Sequence, residues 1–109
     1  MFRFLEKLFG SGNSEEIAEL LEKGAVIVDV RTPFEYKRGH VPGSVNIPLD
    51  SLDRQFKLLK VKKRPIITCC RSGHRSGIAE GILRKNGFHA FNGGSWKNVQ
   101  KAAGLRATS

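Results

Sequence analysis

The sequence predicts an α/β fold with a mostly parallel central sheet of about five short strands and helices on both faces. Two observations predict it. Apolar, β-branched runs alternate along the chain with segments that carry apolar residues at helical spacing, and this order is typical of a parallel sheet with helical connections. The runs at 25–30 and 65–69 are nearly continuous in apolar residues, as expected of strands covered on both faces.

The chain has 109 residues, enough for one domain, which we predict to span 13–109 after an N-terminal amphipathic extension at 1–12. The apolar residues of this extension share one helical face: Phe2, Leu5, Leu8 and Phe9. The extension lacks the continuous apolar stretch and small-residue cleavage site of a signal peptide, so we expect a cytoplasmic protein. No apolar run approaches the roughly 20 residues of a membrane span.

The first helix of the domain is predicted to begin at Asn13, a capping residue with Glu16 three positions later, and to end at Gly24. The strand at 25–30 follows. Asp29 interrupts the apolar run of this strand near its carboxyl end, where open α/β sheets bind their ligands. We expect Asp29 and Arg31 to pair with each other or to brace a neighbouring loop.

A second, short helix is predicted to start with Thr32 as cap, a proline in the first turn and Glu35 at the third helical position. The glycine- and proline-containing stretch at 39–43 ends it. A short strand at 45–48 is stopped by proline. A third helix, capped by Asp50 or Ser51, is then expected to run to Leu59.

The central stretch joins the strand at 65–69 to a helix predicted at 76–86, through a loop of small and basic residues that opens with a thiol. A loop between a strand and a helix N-terminus can converge its backbone N–H groups on one anion. The positive electrostatic field of these N–H groups also lowers the pKa of a thiol from about 8.5, so a cysteine there is expected to be a thiolate. A last strand at 88–91, a turn at 92–94 and a helix capped by Ser95 complete the chain.

The formal net charge is +9, from 19 basic and 10 acidic residues. A basic cluster stands in the linker before the central strand: Lys57, Lys60, Lys62, Lys63 and Arg64. Basic clusters can bind nucleic acids or anionic membranes. Few aromatic residues stand near this cluster, so we interpret it as a solvated surface and expect no nucleic-acid partner. Two adjacent cysteines argue against a structural disulfide, and the scattered histidines argue against a metal site.

Four groups of residues together resemble the single-domain rhodanese family of thiosulfate sulfurtransferases. They are Val28-Asp29-Val30-Arg31 with Glu35-Tyr36, then Gly39-His40-Val41-Pro42-Gly43-Ser44-Val45-Asn46-Ile47-Pro48, then Cys70-Arg71-Ser72-Gly73-His74-Arg75-Ser76, and finally Gly93-Gly94. Any one would be weak, but the combination is highly specific and covers most of the chain. The extension at 1–12 has no counterpart in the family, and Trp96 stands nearer the glycine pair than is common there.

The resemblance implies a two-step sulfur transfer with Cys70 as the nucleophile. A sulfane sulfur passes from a donor such as thiosulfate onto Cys70, and a thiol or cyanide acceptor then removes it. The rest of the loop is implied to bind the substrate: Arg71, Ser72, Gly73, His74, Arg75 and Ser76. A dianion approaching a thiolate needs compensating positive charge, which the two arginines and the histidine can supply.

Two alternatives to sulfur transfer remain open at this point. Counted from Cys69, five residues precede Arg75, which meets the loop pattern of cysteine phosphatases and arsenate reductases. Counted from Cys70, four residues intervene, and the smaller loop suits a sulfur atom better than a phosphate. A non-catalytic interaction module of the same fold is a further alternative. We expect Cys69 to be a core residue. The sulfur acceptor is expected to be a small thiol, cyanide or a sulfur-carrier protein. We expect the protein to need no cofactor and to be a monomer or a homodimer.

Overall fold

The computed structural model describes residues 14–108. The predicted extension at 1–12 and the predicted helix cap Asn13 lie outside the described residues.

The described chain alternates helices and strands in the order that the sequence predicts. The elements are α1 (Ser14–Glu22), β1 (Val26–Asp29), α2 (Pro33–Lys37), β2 (Val45–Asn46), a 3₁₀ helix (Leu49–Gln55), α3 (Phe56–Lys62), β3 (Ile66–Cys70), α4 (His74–Lys85), β4 (Ala90–Ser95) and α5 (Trp96–Thr108). None of the helices within 14–108 is long and apolar enough to cross a membrane.

The strands form one sheet in the order β2-β1-β3-β4, and every neighbouring pair is parallel. This confirms the predicted α/β class with a parallel sheet. The described residues contain four strands rather than about five, one at each of the four places where the sequence predicted a strand: 25–30, 45–48, 65–69 and 88–91. The two most buried strands, β1 and β3, lie at the centre.

The core is divided by the sheet into two layers. On one face, Val28 and Ile66 pack with Leu83 of α4 and with residues of the 3₁₀ helix and α3. On the other face, Ile27 and Ile67 pack with buried residues of α1 and α5. Because successive side chains of a strand point to opposite faces, Cys69 belongs to the second layer and Cys70 to the first.

The helix after β3 begins two residues earlier than the sequence predicts. Gly73, with φ of +101°, occupies the cap position of α4, and the helix starts at His74. A positive φ is readily adopted by glycine, since it has no Cβ. Ser76 therefore lies in the first turn of the helix and is not its cap.

The stretch at 92–94 was expected to turn the chain, but it continues β4 as far as Ser95. Gly93 packs so closely against the sheet that a Cβ would lie 2.6 Å from Val99 Cγ2 and 2.8 Å from Ile67 Cγ2. Glycine is thus needed here for close approach. The predicted cap of the last helix is confirmed, because Ser95 Oγ accepts a hydrogen bond from the Asn98 N–H at 3.1 Å.

The predicted third helix is also different in detail. The chain first forms the 3₁₀ helix from Leu49, with Pro48 at the cap position and no side-chain cap, and becomes α-helical only at Phe56. Neither Asp50 nor Ser51 caps it, since both lie inside the 3₁₀ helix.

Candidate active site

The Cys70 thiol lies at the floor of the loop that joins β3 to α4. Its Sγ atom accepts hydrogen bonds from the backbone N–H of Gly73 at 3.0 Å and of Ser76 at 3.4 Å. The Ser76 hydroxyl lies 3.4 Å from the same sulfur. The loop therefore turns its donors inward onto one atom, as an anion-binding loop does.

These contacts determine the ionisation of Cys70. Burial raises the pKa of the Cys70 thiol, but hydrogen bonds from the Ser76 hydroxyl and from the backbone N–H groups of Ser76, Gly73 and Ser72 act against burial, and the net effect is a lowered pKa. Hydrogen bonding to the charged form favours that form. The largest contributions that lower the pKa thus come from the hydrogen-bond donors of the loop, as the sequence suggested for its backbone N–H groups.

Cys69 has the opposite environment. It is fully buried on the other face of the sheet, among the residues that pack against α1 and α5. Burial, and then the nearby carboxylate of Asp29, raise the pKa of the Cys69 thiol far above its usual value. Cys69 is a core residue, as the sequence suggested.

The position of Ser76 depends on Asn92, a residue that sequence reasoning missed. Ser76 Oγ lies 2.6 Å from Asn92 Oδ1, which accepts the hydroxyl proton when Cys70 is a neutral thiol; when Cys70 is a thiolate, the same proton is donated to its sulfur. The Asn92 side-chain amide donates to the Gly73 carbonyl at 3.2 Å. The Gly94 N–H also donates to Asn92 Oδ1, at 2.9 Å. A buried polar residue directly before a glycine pair was the available signal, but its partner, 16 positions away, was not evident from the sequence.

Arg75 is held by a carboxylate from another part of the chain. Its guanidinium donates to Glu35 Oε1 at 2.7 Å and to Oε2 at 2.9 Å. The hydrogen bond from Arg75 lowers the pKa of Glu35 to about 2. Glu35 also completes the predicted capping box with Thr32 at the start of α2. Arg75 therefore belongs to the loop, but its charge is compensated.

Asp29 and Arg31 form the predicted pair beneath this site. Both Asp29 carboxylate oxygens accept hydrogen bonds from the Arg31 guanidinium, at 2.7–3.1 Å, and Arg31 also donates to the Gly39 carbonyl at 2.7 Å. The Arg31 guanidinium carbon lies 5.1 Å from the centre of the Trp96 ring. Both members of the pair are buried, so they brace the loops at this edge of the sheet.

The remaining predicted site residues lie at the mouth of the loop. Arg71, Ser72 and His74 are exposed. Arg71 borders a cleft of about 530 Å³, which is lined by Arg31, Phe34, Glu35, Arg38, Arg71, Trp96 and Lys97. The loop thus presents its thiol at the floor and a cation at the rim.

A comparison with protein families identifies the family of this domain. The family model of the rhodanese-like domain matches residues 13–102. The chain belongs to the rhodanese-like domain family. The resemblance seen in the sequence is therefore confirmed.

Rhodanese-like proteins similar to this one include enzymes of sulfur transfer. Thiosulfate sulfurtransferase PspE of Escherichia coli is 35% identical over 74 residues, which cover 66% of this chain and 71% of PspE. The uncharacterized protein YqhL of Bacillus subtilis is 41% identical over 63 residues, 58% of this chain. The matched region is 49% of YqhL, so the chain spans about half the length of this relative.

Among solved structures, a rhodanese-related protein from Thermoplasma volcanium superposes with a TM-score of 0.71 at 26% identity. The match covers 87% of this chain and 93% of the other. The rhodanese-like fold therefore extends over nearly all of both chains.

Proposed function

We propose that this rhodanese-like domain is a thiosulfate sulfurtransferase that carries a sulfane sulfur on Cys70. The observation that supports this most directly is the ring of donors around Cys70 Sγ, with N–H contacts at 3.0 and 3.4 Å and a lowered thiol pKa. A thiolate is the attacking form of a cysteine. The loop that favours the thiolate would equally stabilise the negative charge of a persulfide.

The proposed reaction balances without an oxidant or a reductant. The Cys70 thiolate attacks the outer sulfur of thiosulfate, a sulfur–sulfur bond forms to Cys70, and the sulfur–sulfur bond of thiosulfate breaks with its electron pair leaving on sulfite. A thiolate or cyanide then attacks the outer sulfur of the persulfide. The bond to Cys70 breaks, and its electron pair returns to Cys70 Sγ. The enzyme is regenerated as a thiolate.

The loop size favours this reaction over phosphate-ester hydrolysis. The phosphatase pattern requires Cys69 as the first loop residue, but the thiol of Cys69 lies on the opposite face of the sheet from the donors. From Cys70, four residues precede Arg75, and the fork of Arg75 is engaged by Glu35. A phosphate would need that fork. These observations support the transfer of a sulfur atom.

The charge at the rim favours an anionic donor. Arg71 follows the nucleophile directly and is exposed, so its charge can face a dianion that approaches Cys70. We also propose a cytoplasmic location, because a catalytic thiolate must be kept reduced between turnovers.

Mass spectrometry of the protein after incubation with thiosulfate tests the proposal. We expect the mass to rise by one sulfur atom and peptide mapping to place this atom on Cys70. Cys70→Ser should abolish uptake, because a hydroxyl at neutral pH is a far weaker nucleophile. The matched control is Cys69→Ser, which changes the neighbouring thiol.

Cys69→Ser should retain sulfur uptake and lose stability, by about 1–3 kcal/mol, because a buried hydroxyl would lack an assured partner. Uptake that survives Cys70→Ser and disappears in a folded Cys69→Ser variant would contradict the proposal. That result would support the loop pattern of cysteine phosphatases, in which Cys69 is the first residue of the loop.

A further inference from the structure

The cleft beside the active-site loop is lined by more cationic side chains than nearby carboxylates pair with. Of its lining residues, Arg31 is paired with Asp29, and Glu35 is paired with Arg75. Its other charged residues are Arg38, Arg71 and Lys97. Within residues 14–104, none of these three forms an ion pair with a carboxylate.

The cleft also has apolar walls. Phe34 is a large apolar side chain and yet 69% exposed. The Arg38 guanidinium carbon lies 5.6 Å from the centre of its ring. Lys97 Nζ lies 5.8 Å from the ring of Trp96, which also lines the cleft. Each of the two aromatic rings of the cleft thus lies beside a cation, which suits a ligand with a carbon skeleton and anionic groups.

The cleft is larger than thiosulfate or cyanide would need. Its volume of about 530 Å³ falls within the range of about 300–1,000 Å³ that is typical of sites for organic ligands. Thiosulfate and cyanide are small ions that would leave most of this space filled with water. Two of the three unpaired cations, Arg38 and Lys97, lie outside the loop that carries Cys70.

The cleft adjoins the active-site loop at two points. Arg71 lines the cleft and directly follows Cys70. Glu35 lines it too and holds Arg75 of the same loop. A molecule bound in this cleft would therefore lie beside the mouth of the loop, where an attacking thiol must arrive.

We infer that this cleft is the acceptor site and that it selects organic thiols carrying two or more negative charges. This inference rests on the proposed sulfur transfer. Arg38 and Lys97 bind the anionic groups, while Phe34 and Trp96 contact the carbon skeleton. The acceptor thiolate attacks the outer sulfur of the Cys70 persulfide, the bond to Cys70 breaks with its electron pair on Cys70, and an organic persulfide leaves.

The test measures discharge of a preloaded persulfide, so that donor binding does not enter. The protein is loaded with thiosulfate, excess donor is removed by gel filtration, and the loss of sulfur from Cys70 is followed by mass spectrometry. Three acceptors of different charge are compared: mercaptosuccinate, with two carboxylates; 2-mercaptoethanol, which is neutral; and cysteamine, which is cationic. The variant is the double charge reversal Arg38→Glu with Lys97→Glu.

The matched control is Lys57→Glu with Lys60→Glu. These lysines are exposed on α3 and do not line the cleft, and their reversal changes the net charge by the same amount. We expect the cleft variant to lower the second-order rate of discharge by mercaptosuccinate by about tenfold, equivalent to about 1.4 kcal/mol. Discharge by 2-mercaptoethanol should change less than about twofold, and discharge by cysteamine should not fall. The control should match the unmodified protein.

Two results overturn the inference while leaving sulfur transfer intact. One is an equal loss for all three acceptors. The other is an equal loss for mercaptosuccinate in the control, which would assign the effect to the overall field of a basic protein. A protein that takes no sulfur onto Cys70 in the loading step contradicts the proposed function itself, and the inference with it. The two failures are therefore separated by the mass of the loaded protein.

Discussion

Glu35 and Arg75 join α2 to the active-site loop through two hydrogen bonds, of 2.7 and 2.9 Å, across 40 positions of sequence. The pair is partly buried, with side chains about 30% exposed. It has two consequences. It fixes the loop that surrounds Cys70 to the start of α2, and it compensates the charge of Arg75, so that Arg71 is the arginine of the loop free to face a substrate.

The first prediction concerns stability against pH. Glu35→Gln should lower the free energy of unfolding at pH 7 by up to about 1 kcal/mol, the range of a partly exposed ion pair. The hydrogen bond from Arg75 lowers the pKa of Glu35 from 4.5 to about 2 in the folded protein. The contribution is therefore complete above about pH 4.5 and is lost as the pH falls towards 2.

Urea unfolding of the two proteins between pH 7 and pH 3 checks this prediction. Glu22→Gln, at the exposed end of α1, is the control and should change stability little. A difference between Glu35→Gln and the unmodified protein that stays constant down to pH 3 would show that the ion pair is not its source.

The second prediction concerns the ionisation of Cys70. The rate of alkylation by iodoacetamide, assigned to Cys70 by peptide mapping, should have a midpoint clearly below about 8.5. Ser76→Ala should raise this midpoint, since the Ser76 hydroxyl makes the largest of the contributions that lower the thiol pKa. Cys69 should remain unmodified in the folded protein, because burial in the core raises the pKa of its thiol far above the usual value and keeps it neutral.

Salt distinguishes the two sources of this shift. Hydrogen bonds inside the loop are screened weakly, whereas exposed arginines are screened strongly. We expect only a small rise of the midpoint with added salt. A midpoint at or above the free-thiol value would mean that burial dominates, and Cys70 would then be a structural thiol in a non-catalytic module.

The third prediction concerns the choice of donor. Arg71→Ala should lower kcat/KM for thiosulfate by about three- to tenfold, because a dianion loses one facing cation in a solvated site. The loss for mercaptopyruvate, which carries a single carboxylate, should be smaller. Arg54→Ala removes an exposed arginine from the 3₁₀ helix and should affect neither donor. Equal losses with the two donors in Arg71→Ala would refute selection by charge.

The fourth prediction concerns the boundary of the domain. Deleting residues 1–12 should leave sulfur transfer intact, because the family match begins at residue 13 and the hydrogen-bond partners of the side chains of residues 70–76 within the described chain lie between Glu35 and Gly94. Stability or the oligomeric state should change if the apolar residues of this extension pack on the domain or on a second copy. Sulfur uptake and size-exclusion chromatography of the shortened protein measure both effects. A loss of uptake in a shortened protein that still folds would make the extension part of the active unit.

Much of the site could be predicted because its determinants are local in sequence. The capping box of Thr32 and Glu35 spans one helical turn, and the pair of Asp29 and Arg31 spans two residues. The loop that opens with Cys70 needs only a strand, a glycine and a helix start in succession. These patterns are visible without knowing what packs against them.

The sequence by itself therefore determined the α/β class, the parallel sheet and the loop around Cys70, since periodicity and capping act within a few residues. Only the tertiary structure decided which residues support that loop. Asn92 reaches Ser76 because β4 lies beside β3, and Glu35 reaches Arg75 because α2 follows the strand next to β3. Contacts between residues 16 and 40 positions apart depend on strand order and register, and a periodic pattern of apolar residues specifies neither.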